Sequence, residues 1–278
     1  MSENGQAGGR LPKQAIRLRR LCKSYAGQAG PVAALQDFSC DIAHGEFAII
    51  LGPSGCGKST AVRIIAGLDT PTSGLVLVDG EPVNEPGKTC GMVFQSYTSF
   101  PWLTVLENIE FGLRYTMRAT ARERRERARW FARMVGLEEF EDAYINQLSG
   151  GMKQRVAIAS AMATDPKILL MDEPFGALDS QTRMEMQEQL LSITESSDKT
   201  VVFVTHDIDE AILLGDRIYV CTARPANILA ELDVPFEHPR PPSLRSRKQF
   251  VDMKHEIFHL LRDNTYARKL EVERGRRG

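Results

Sequence analysis

Gly52-Pro53-Ser54-Gly55-Cys56-Gly57-Lys58-Ser59-Thr60 is the stretch that decides the fold of this chain. It follows an apolar run, Phe47 to Leu51, and leads into residues Thr60 to Leu68, which suit a helix. Gly52, Gly57, Lys58 and Ser59 stand at the defining positions of the pattern G-x-x-x-x-G-K-[ST]. Such a loop turns backbone N–H groups inward at phosphate oxygens, and glycines let it do so without a Cβ clash. The following helix adds the positive end of its dipole. Lys58 is expected to reach the β- and γ-phosphates of a nucleoside triphosphate and the Ser59 hydroxyl to hold Mg2+. Ser54, Gly55, Cys56 and Thr60 would complete the phosphate cradle. Cys56 lies near a helix N-terminus, where thiol pKa values fall, and is expected to be a reactive thiol whose alkylation blocks nucleotide binding.

Outward from the loop, strands alternate with helices. Ile16 to Tyr25 and Ala33 to Ile42 alternate apolar and polar residues as half-buried strands do. Gly74 to Val83 reads as a strand pair turning near Asp79-Gly80. From about Pro101 to Thr164 the pattern is mainly helical, with helices expected at 107–115, 121–135 and 151–164. Strand signals return at 168–171, 200–205 and 217–221, separated by helical segments at 181–195 and 209–214. This order implies a parallel sheet covered on both faces. Residues 1 to about 13 read as disordered, Pro235 to Pro242 as an extended linker, and 246–270 as a final amphipathic helix.

Composition narrows the class. The 278 residues are 42% hydrophobic and 26% charged with a net charge of −1, as in ordinary soluble domains, so no basic field argues for nucleic acid. The mixed-charge run Arg122 to Arg129 interleaves glutamates and reads as a solvated helix face. Five cysteines without a C-x-x-C pair fit a reducing cytosol better than a disulfide framework. No apolar run approaches the roughly 20 residues that span a bilayer, and the polar, Gly-rich start lacks a secretory leader pattern. Any membrane role needs another chain to supply the spanning helices.

Two more runs carry chemistry. Ile168 to Asp172 is an apolar strand ending in an acid, which places Asp172 at the sheet's carboxyl edge, where it can bind Mg2+. Glu173 follows at once, and a carboxylate there can polarise an attacking water as general base. Leu148-Ser149-Gly150-Gly151-Met152 is the start of a helix, with free N–H groups and a hydroxyl suited to phosphate.

Together these motifs resemble the ATP-binding cassette (ABC) ATPase family over roughly residues 15 to 235. Lys58 then belongs to Walker A and Asp172 to Walker B, and Leu148 to Met152 is similar to the signature motif, whose fifth position is usually Gln. Gln95 in Val93 to Ser96 resembles the Q-loop glutamine, Asp179 in Ala177 to Asp179 the D-loop, His206 in Val204 to Asp207 the switch histidine, and Tyr25 the aromatic that stacks on adenine. Alone, Gln95, His206 or Tyr25 would each pass for an ordinary surface or strand residue; their order makes them a set. The resemblance implies an α/β P-loop NTPase core with a helical subdomain, about 96–165, and an antiparallel β subdomain, followed by a C-terminal linker and helix over 236–278. It implies an ATP hydrolase that closes head-to-tail as a homodimer, or with a paired ATPase subunit, around two Mg-ATP. Lys58, Gln95, Glu173 and His206 would act in catalysis, Ser59, Gln95 and Asp172 at the metal, and Ser149, Gly150, Gly151 and Asp179 across the interface.

Within the family, the single cassette resembles an importer subunit. Ser99 to Ile109, with Trp102, Ala223 to Ile228 and Pro239-Arg240-Pro241 are similar to the nitrate/sulfonate/taurine importer branch. That resemblance implies transmembrane permease subunits, an extracytoplasmic solute-binding protein acting indirectly, a place on the cytoplasmic face of the inner membrane, and a small anion as solute. The other readings are a soluble ABC ATPase of DNA repair or translation and a P-loop kinase. Residues 61–147 hold no coiled-coil heptads of the repair type and the chain has one cassette, while a kinase leaves Ser149, Asp179 and His206 unexplained.

Overall fold

The computed structural model describes residues 14–275 except 29 and 97. Alternation along the first two strands builds the smaller sheet. β1 (Gln14–Tyr25) and β2 (Val32–Ala43) pair antiparallel and turn Ile16, Leu18, Leu21, Phe38, Cys40 and Ile42 inward. β3 (Phe47–Leu51) is buried throughout and feeds α1 (Lys58–Ile65) through the phosphate loop. β4 (Ser73–Val78) and β5 (Glu81–Pro82) are joined by Asp79-Gly80, both at positive φ (52° and 84°), as a two-residue hairpin requires. They complete the four-stranded order β2-β1-β4-β5.

The larger sheet adds β6 (Cys90–Val93), then a helical block of α2 (Val105–Thr116), α3 (Ala121–Met134) and α4 (Gly150–Ala163). Thr104 with Glu107 and Thr120 with Glu123 close capping boxes at the starts of α2 and α3. The charged run lies along α3, which turns Ala128, Phe131 and Ala132 inward while Arg122 pairs with Glu126 in solvent at 2.8 Å. β7 (Ile168–Asp172), α5 (Ser180–Ser197), β8 (Thr200–Thr205), α6 (Ile208–Leu214), β9 (Arg217–Cys221), β10 (Ile228–Asp233) and α7 (Lys248–Gly275) follow. The order is β10-β9-β3-β8-β7-β6, parallel except for β10.

Strand alternation divides the core. Phe47, Ile49 and Leu51 join Leu169, Met171, Phe203 and Val220 on the face that carries the helical block, α6 and α7. Ala48 and Ile50 face the other way, onto Val62 and Ile65 of α1 and the antiparallel sheet.

Two strands lie beyond the sequence expectations. β6 is short, and β10 is a half-exposed edge strand. The proline-rich stretch 235–242 is held to the core by a buried arginine. Arg240 donates to the carbonyls of Ile212, Leu213 and Gly215, satisfying the C-terminal end of α6. Beyond it, Phe250, Met253 and Ile257 of α7 enter the larger core cluster. The expectation for residues 1–13 lies outside the described residues.

Candidate active site

The site sits at the carboxyl ends of β3, β8 and β7 and just beyond β6. Strands of that buried, apolar kind end together, so the residues after each meet at one edge of the sheet. After β3 the loop reverses through Gly55 (φ +73°) and Gly57 (φ +128°). A Cβ on Gly57 would lie 2.3 Å from the Ala34 carbonyl oxygen, so the loop and β2 approach as closely as they do only with glycine there. A Cβ on Gly55 would meet nothing within 4 Å, so at that position only the positive φ favours glycine. Lys58 is 3% exposed, and its Nζ donates back to Gly52 O (2.8 Å) and Pro53 O (2.9 Å), bracing the loop.

After β7 come the two acids. Ser59 Oγ donates to Asp172 Oδ1 at 2.9 Å. Asp172 is buried, and burial pushes its carboxyl up; the Ser59 hydrogen bond opposes this and the Glu173 charge adds to it. A buried carboxylate of this kind, beside a hydroxyl, suits a hard divalent cation, whose charge relieves the burial penalty. No cage of three or more His, Cys, Asp or Glu exists among the described residues. Mg2+ needs none, since it keeps waters and takes phosphate oxygens. The residues therefore fit Mg2+ delivered with a nucleotide.

Glu173 stands at φ 47°, a left-handed conformation unusual for a non-glycine residue, with its N–H bonded to Val204 O at 3.0 Å. That turn aims the carboxylate into a ring of partners. Oε1 lies 3.8 Å from Lys58 Nζ; Oε2 accepts from Gln95 Nε2 at 3.4 Å and lies 3.2 Å from His206 Nδ1. The catalytic candidates named from sequence thus converge on one carboxylate. The Gln95 contact is with Glu173 and not with the Ser59–Asp172 pair.

Tyr25, at the end of β1, is 38% exposed and is fixed by its hydroxyl, which donates to Asp69 Oδ2 at 2.6 Å. Lys23 Nζ binds the other Asp69 oxygen and lies 4.9 Å from the ring centroid. The ring is held beside Thr60, the second residue after Lys58. Asp69 lay outside the sequence reading, because nothing local marks it.

Ser149, Gly150, Gly151 and Asp179 form a separate, largely exposed cluster. Ser149 caps α4, accepting from Met152 N at 3.3 Å, and Asp179 caps α5, accepting from Gln181 and Thr182 N–H. Those backbone donors hold the Asp179 carboxyl below its ordinary range. The two starts touch, since a Cβ on Gly151 would lie 3.3 Å from Leu178 Cδ2. None of the four hydrogen-bonds to Lys58 or Glu173 in the same chain.

Cys56 corrects an expectation. It is buried under the loop at 2% exposure, and burial raises its thiol pKa despite Lys58 and nearby backbone N–H groups, which pull the other way. At this thiol burial outweighs the helix start. The sequence reading also left out Glu210, whose place in the first turn of α6 looks like an ordinary dipole-favoured acid. In the structure it is buried and bonded to Thr205 and Gln187.

The family model for ABC transporters matches residues 35–176. The chain is 45% identical over 253 residues to the nitrate import ATP-binding protein NrtD of Synechocystis sp., covering 89% of this chain and 95% of the relative. It is 42% identical over 243 residues to the aliphatic sulfonates import ATP-binding protein SsuB of Bacillus cereus, covering 87% and 94%. Its fold is similar to that of the ATP-binding cassette MJ0796, solved as a dimer in a post-hydrolysis state bound to ADP and Pi, with TM-score 0.74, 38% identity, and coverage of 80% of this chain and 100% of that one. With the phosphate loop, paired acids and cassette fold in place, the chain belongs to the ABC transporter family as an ATP-binding subunit and ATP hydrolase.

Proposed function

We propose that this chain powers solute import by closing two copies of itself, or one copy and a paired ATPase subunit, around two Mg-ATP. The observation that carries this reading is the division of the site. The phosphate loop and the Glu173 ring occupy one surface. Ser149 and Asp179, which cap the starts of α4 and α5, are exposed and make no hydrogen bond to Lys58 or Glu173.

In this reading Lys58 and the N–H groups from Ser54 to Thr60 hold the phosphates, and Tyr25 stacks on adenine. Ser59 and Asp172 would hold Mg2+, which would neutralise phosphate charge there. Glu173 takes a proton from the attacking water as the new O–P bond forms and ADP leaves with the bridging oxygen. His206 fixes Glu173 and the γ-phosphate, and Gln95 links Glu173 to the helical block. Ser149 and Gly151 of one chain meet the γ-phosphate held by Lys58 of the other. Loss of that phosphate weakens closure.

Residues after Gln95 supply a surface for a permease. Trp102 is 69% exposed and begins a ladder of rings, Trp102–Phe100 at 5.5 Å, Phe100–Phe111 at 4.6 Å and Phe111–Tyr115 at 5.6 Å. Ordinary core packing would bury the indole; its exposure supports a role in docking a partner. No described helix is long and apolar enough to cross a membrane, so the permease would supply the channel, with this subunit on the cytoplasmic face. Relatives named for nitrate and sulfonate import favour a small anion, such as nitrate, a sulfonate or taurine, delivered by an extracytoplasmic binding protein. They do not favour a role in DNA repair or translation.

The test is affinity capture of the chain from gently solubilised membranes, with partners identified by mass spectrometry. A polytopic permease in the complex is the expected result. Recovery with ribosomes or nucleic-acid factors and no membrane protein would overturn the transport reading and leave the ATPase chemistry standing.

A further inference from the structure

His206 carries the contact to Glu173, yet its own side chain is 55% exposed, so packing does not hold it. What holds it is the turn around it. Thr205, at the end of β8, is buried; its hydroxyl accepts from Asp207 N at 3.0 Å and donates to Glu210 Oε2 at 2.6 Å. These bonds close the turn on both sides of His206. Glu210 is itself buried, and its other oxygen accepts from Gln187 Nε2 at 3.1 Å and lies 4.0 Å from Arg183 Nε. Arg183 in turn donates to the Leu178 carbonyl at 3.1 Å, one residue before Asp179. Leu178 packs on Gly151 at the start of α4. A small cavity joins the chain of contacts, lined by Glu173, His206, Thr205, Asp207, Glu210 and Arg183.

We propose that Glu210 is a positioning residue that fixes the His206 turn through Thr205 and ties it, through Arg183, to the segment carrying Asp179 and Gly151. A buried carboxylate is costly unless its bonds are all made. Here the Thr205 bond serves the turn that presents His206, the 4.0 Å ion pair with Arg183 faces the segment offered to the second chain, and the Gln187 bond anchors the carboxylate to α5. One chain thereby links the half-site it completes with Glu173 to the half-site it lends to its partner. The inference rests on the reading of His206 as a γ-phosphate contact.

The experiment compares steady-state ATPase kinetics of the full chain carrying Thr205→Val, Glu210→Gln, Glu210→Ala and His206→Ala, with ATP binding followed by a fluorescent analogue. Thr205→Val is nearly isosteric and removes only the hydroxyl. It should lower kcat roughly 10-fold or more, since small misplacements at a reacting centre carry that scale of loss, and leave the ATP KM within about 2-fold. Glu210→Gln keeps an acceptor for Thr205 but loses the charge facing Arg183, and should fall between wild type and Glu210→Ala. The double variant Thr205→Val/Glu210→Ala should be no slower than the worse single one, because both cut the same tie. A role confined to folding would lower the melting temperature without this non-additive kcat pattern. If Thr205→Val and Glu210→Gln both turn over like wild type while His206→Ala is inactive, the positioning network is wrong and the His206 reading stands. If His206→Ala itself keeps wild-type kcat, the His206 reading fails and the network falls with it.

Discussion

Gly55 and Gly57 lie two residues apart in the same loop, yet an alanine at each should fail in opposite ways. At Gly57 the backbone has φ +128°, outside the left-handed helical well, and a Cβ would sit 2.3 Å from Ala34 O and 3.2 Å from Leu35 Cδ2. The conformation costs an L-residue about 1–3 kcal/mol. Pushing a methyl into packed backbone adds about 1–3 kcal/mol more. At Gly55 φ is +73° and the Cβ position is empty to 4 Å, so only the left-handed cost of about 1–2 kcal/mol applies. With about 2–4 °C lost per kcal/mol in a domain of this size, Gly57→Ala should melt roughly 10 °C below wild type and Gly55→Ala roughly 3 °C below. The order should reverse in function per folded molecule, on the expectation that a Gly55 methyl crowds the side of the loop where phosphate is proposed to lie. The assay is thermal unfolding of nucleotide-free protein, followed by titration with a fluorescent ATP analogue at a temperature where both variants are folded. Gly55→Ala should keep its fold and lose most ATP affinity. Equal melting temperatures for the two variants, or undiminished ATP affinity in Gly55→Ala, would refute this account of the loop.

Glu173→Gln should bind ATP, lose about 100-fold or more in turnover, and elute as a dimer in size-exclusion chromatography with Mg-ATP; brisk hydrolysis would remove Glu173 as the base. Asp216→Asn tests the contact between the proline-rich stretch and the sheet. Burial pushes the Asp216 carboxyl up, but His238 at 3.1 Å, the Phe47 N–H at 2.8 Å and Arg240 at 3.8 Å together bring it below its ordinary range. Its stabilisation is therefore present above the ordinary carboxylate pKa and is lost as pH falls through the lowered folded value. Denaturant melts should find the variant less stable at neutral pH, by about 1 kcal/mol or less given the 43% exposed side chain, and equal to wild type in strong acid. A gap that stays constant with pH would assign the effect to lost hydrogen bonds.

The parallel core was legible because its strands are buried on both sides and read as short apolar runs bounded by loops. Val201 to Val204 is one such run. The hairpin at Asp79-Gly80 was legible for a different reason, since its turn type demands residues that tolerate positive φ. β6 escaped because Cys90-Gly91-Met92-Val93 is too short to carry a period, and it is a strand only through its pairing with β7. Arg240 escaped because its partners, the carbonyls at the end of α6, are distant in sequence and carry no side-chain signature. The site divides along the same line. Lys58, Ser59, Asp172 and Glu173 announce themselves by fixed spacing next to strands. Glu210, Thr205 and Asp69 act through contacts that only the folded chain creates. Cys56 shows the limit of reading a charge effect from sequence: the helix start is there as expected, but burial outweighs it.

The side chains of the site bond to one another, and in the proposed reading this bears on the role of a second chain. Lys58 donates to Gly52 O and Pro53 O, Ser59 to Asp172, and Glu173 is held by Gln95 and lies against His206. In the proposed reading an arriving triphosphate must exchange these internal bonds for its own, so the net gain from one chain's γ-phosphate contacts is modest. The Ser149 helix start is in a different position. Ser149 is exposed, and in the proposed reading the N–H groups of this start meet the phosphate held by a second, loaded chain. In that reading closure draws on contacts that exist only in the dimer with ATP intact, which is the differential interaction a ligand needs in order to shift a conformational equilibrium. A chain with the same loop and acids but an uncapped or buried α4 start would bind ATP and have nothing to drive it shut.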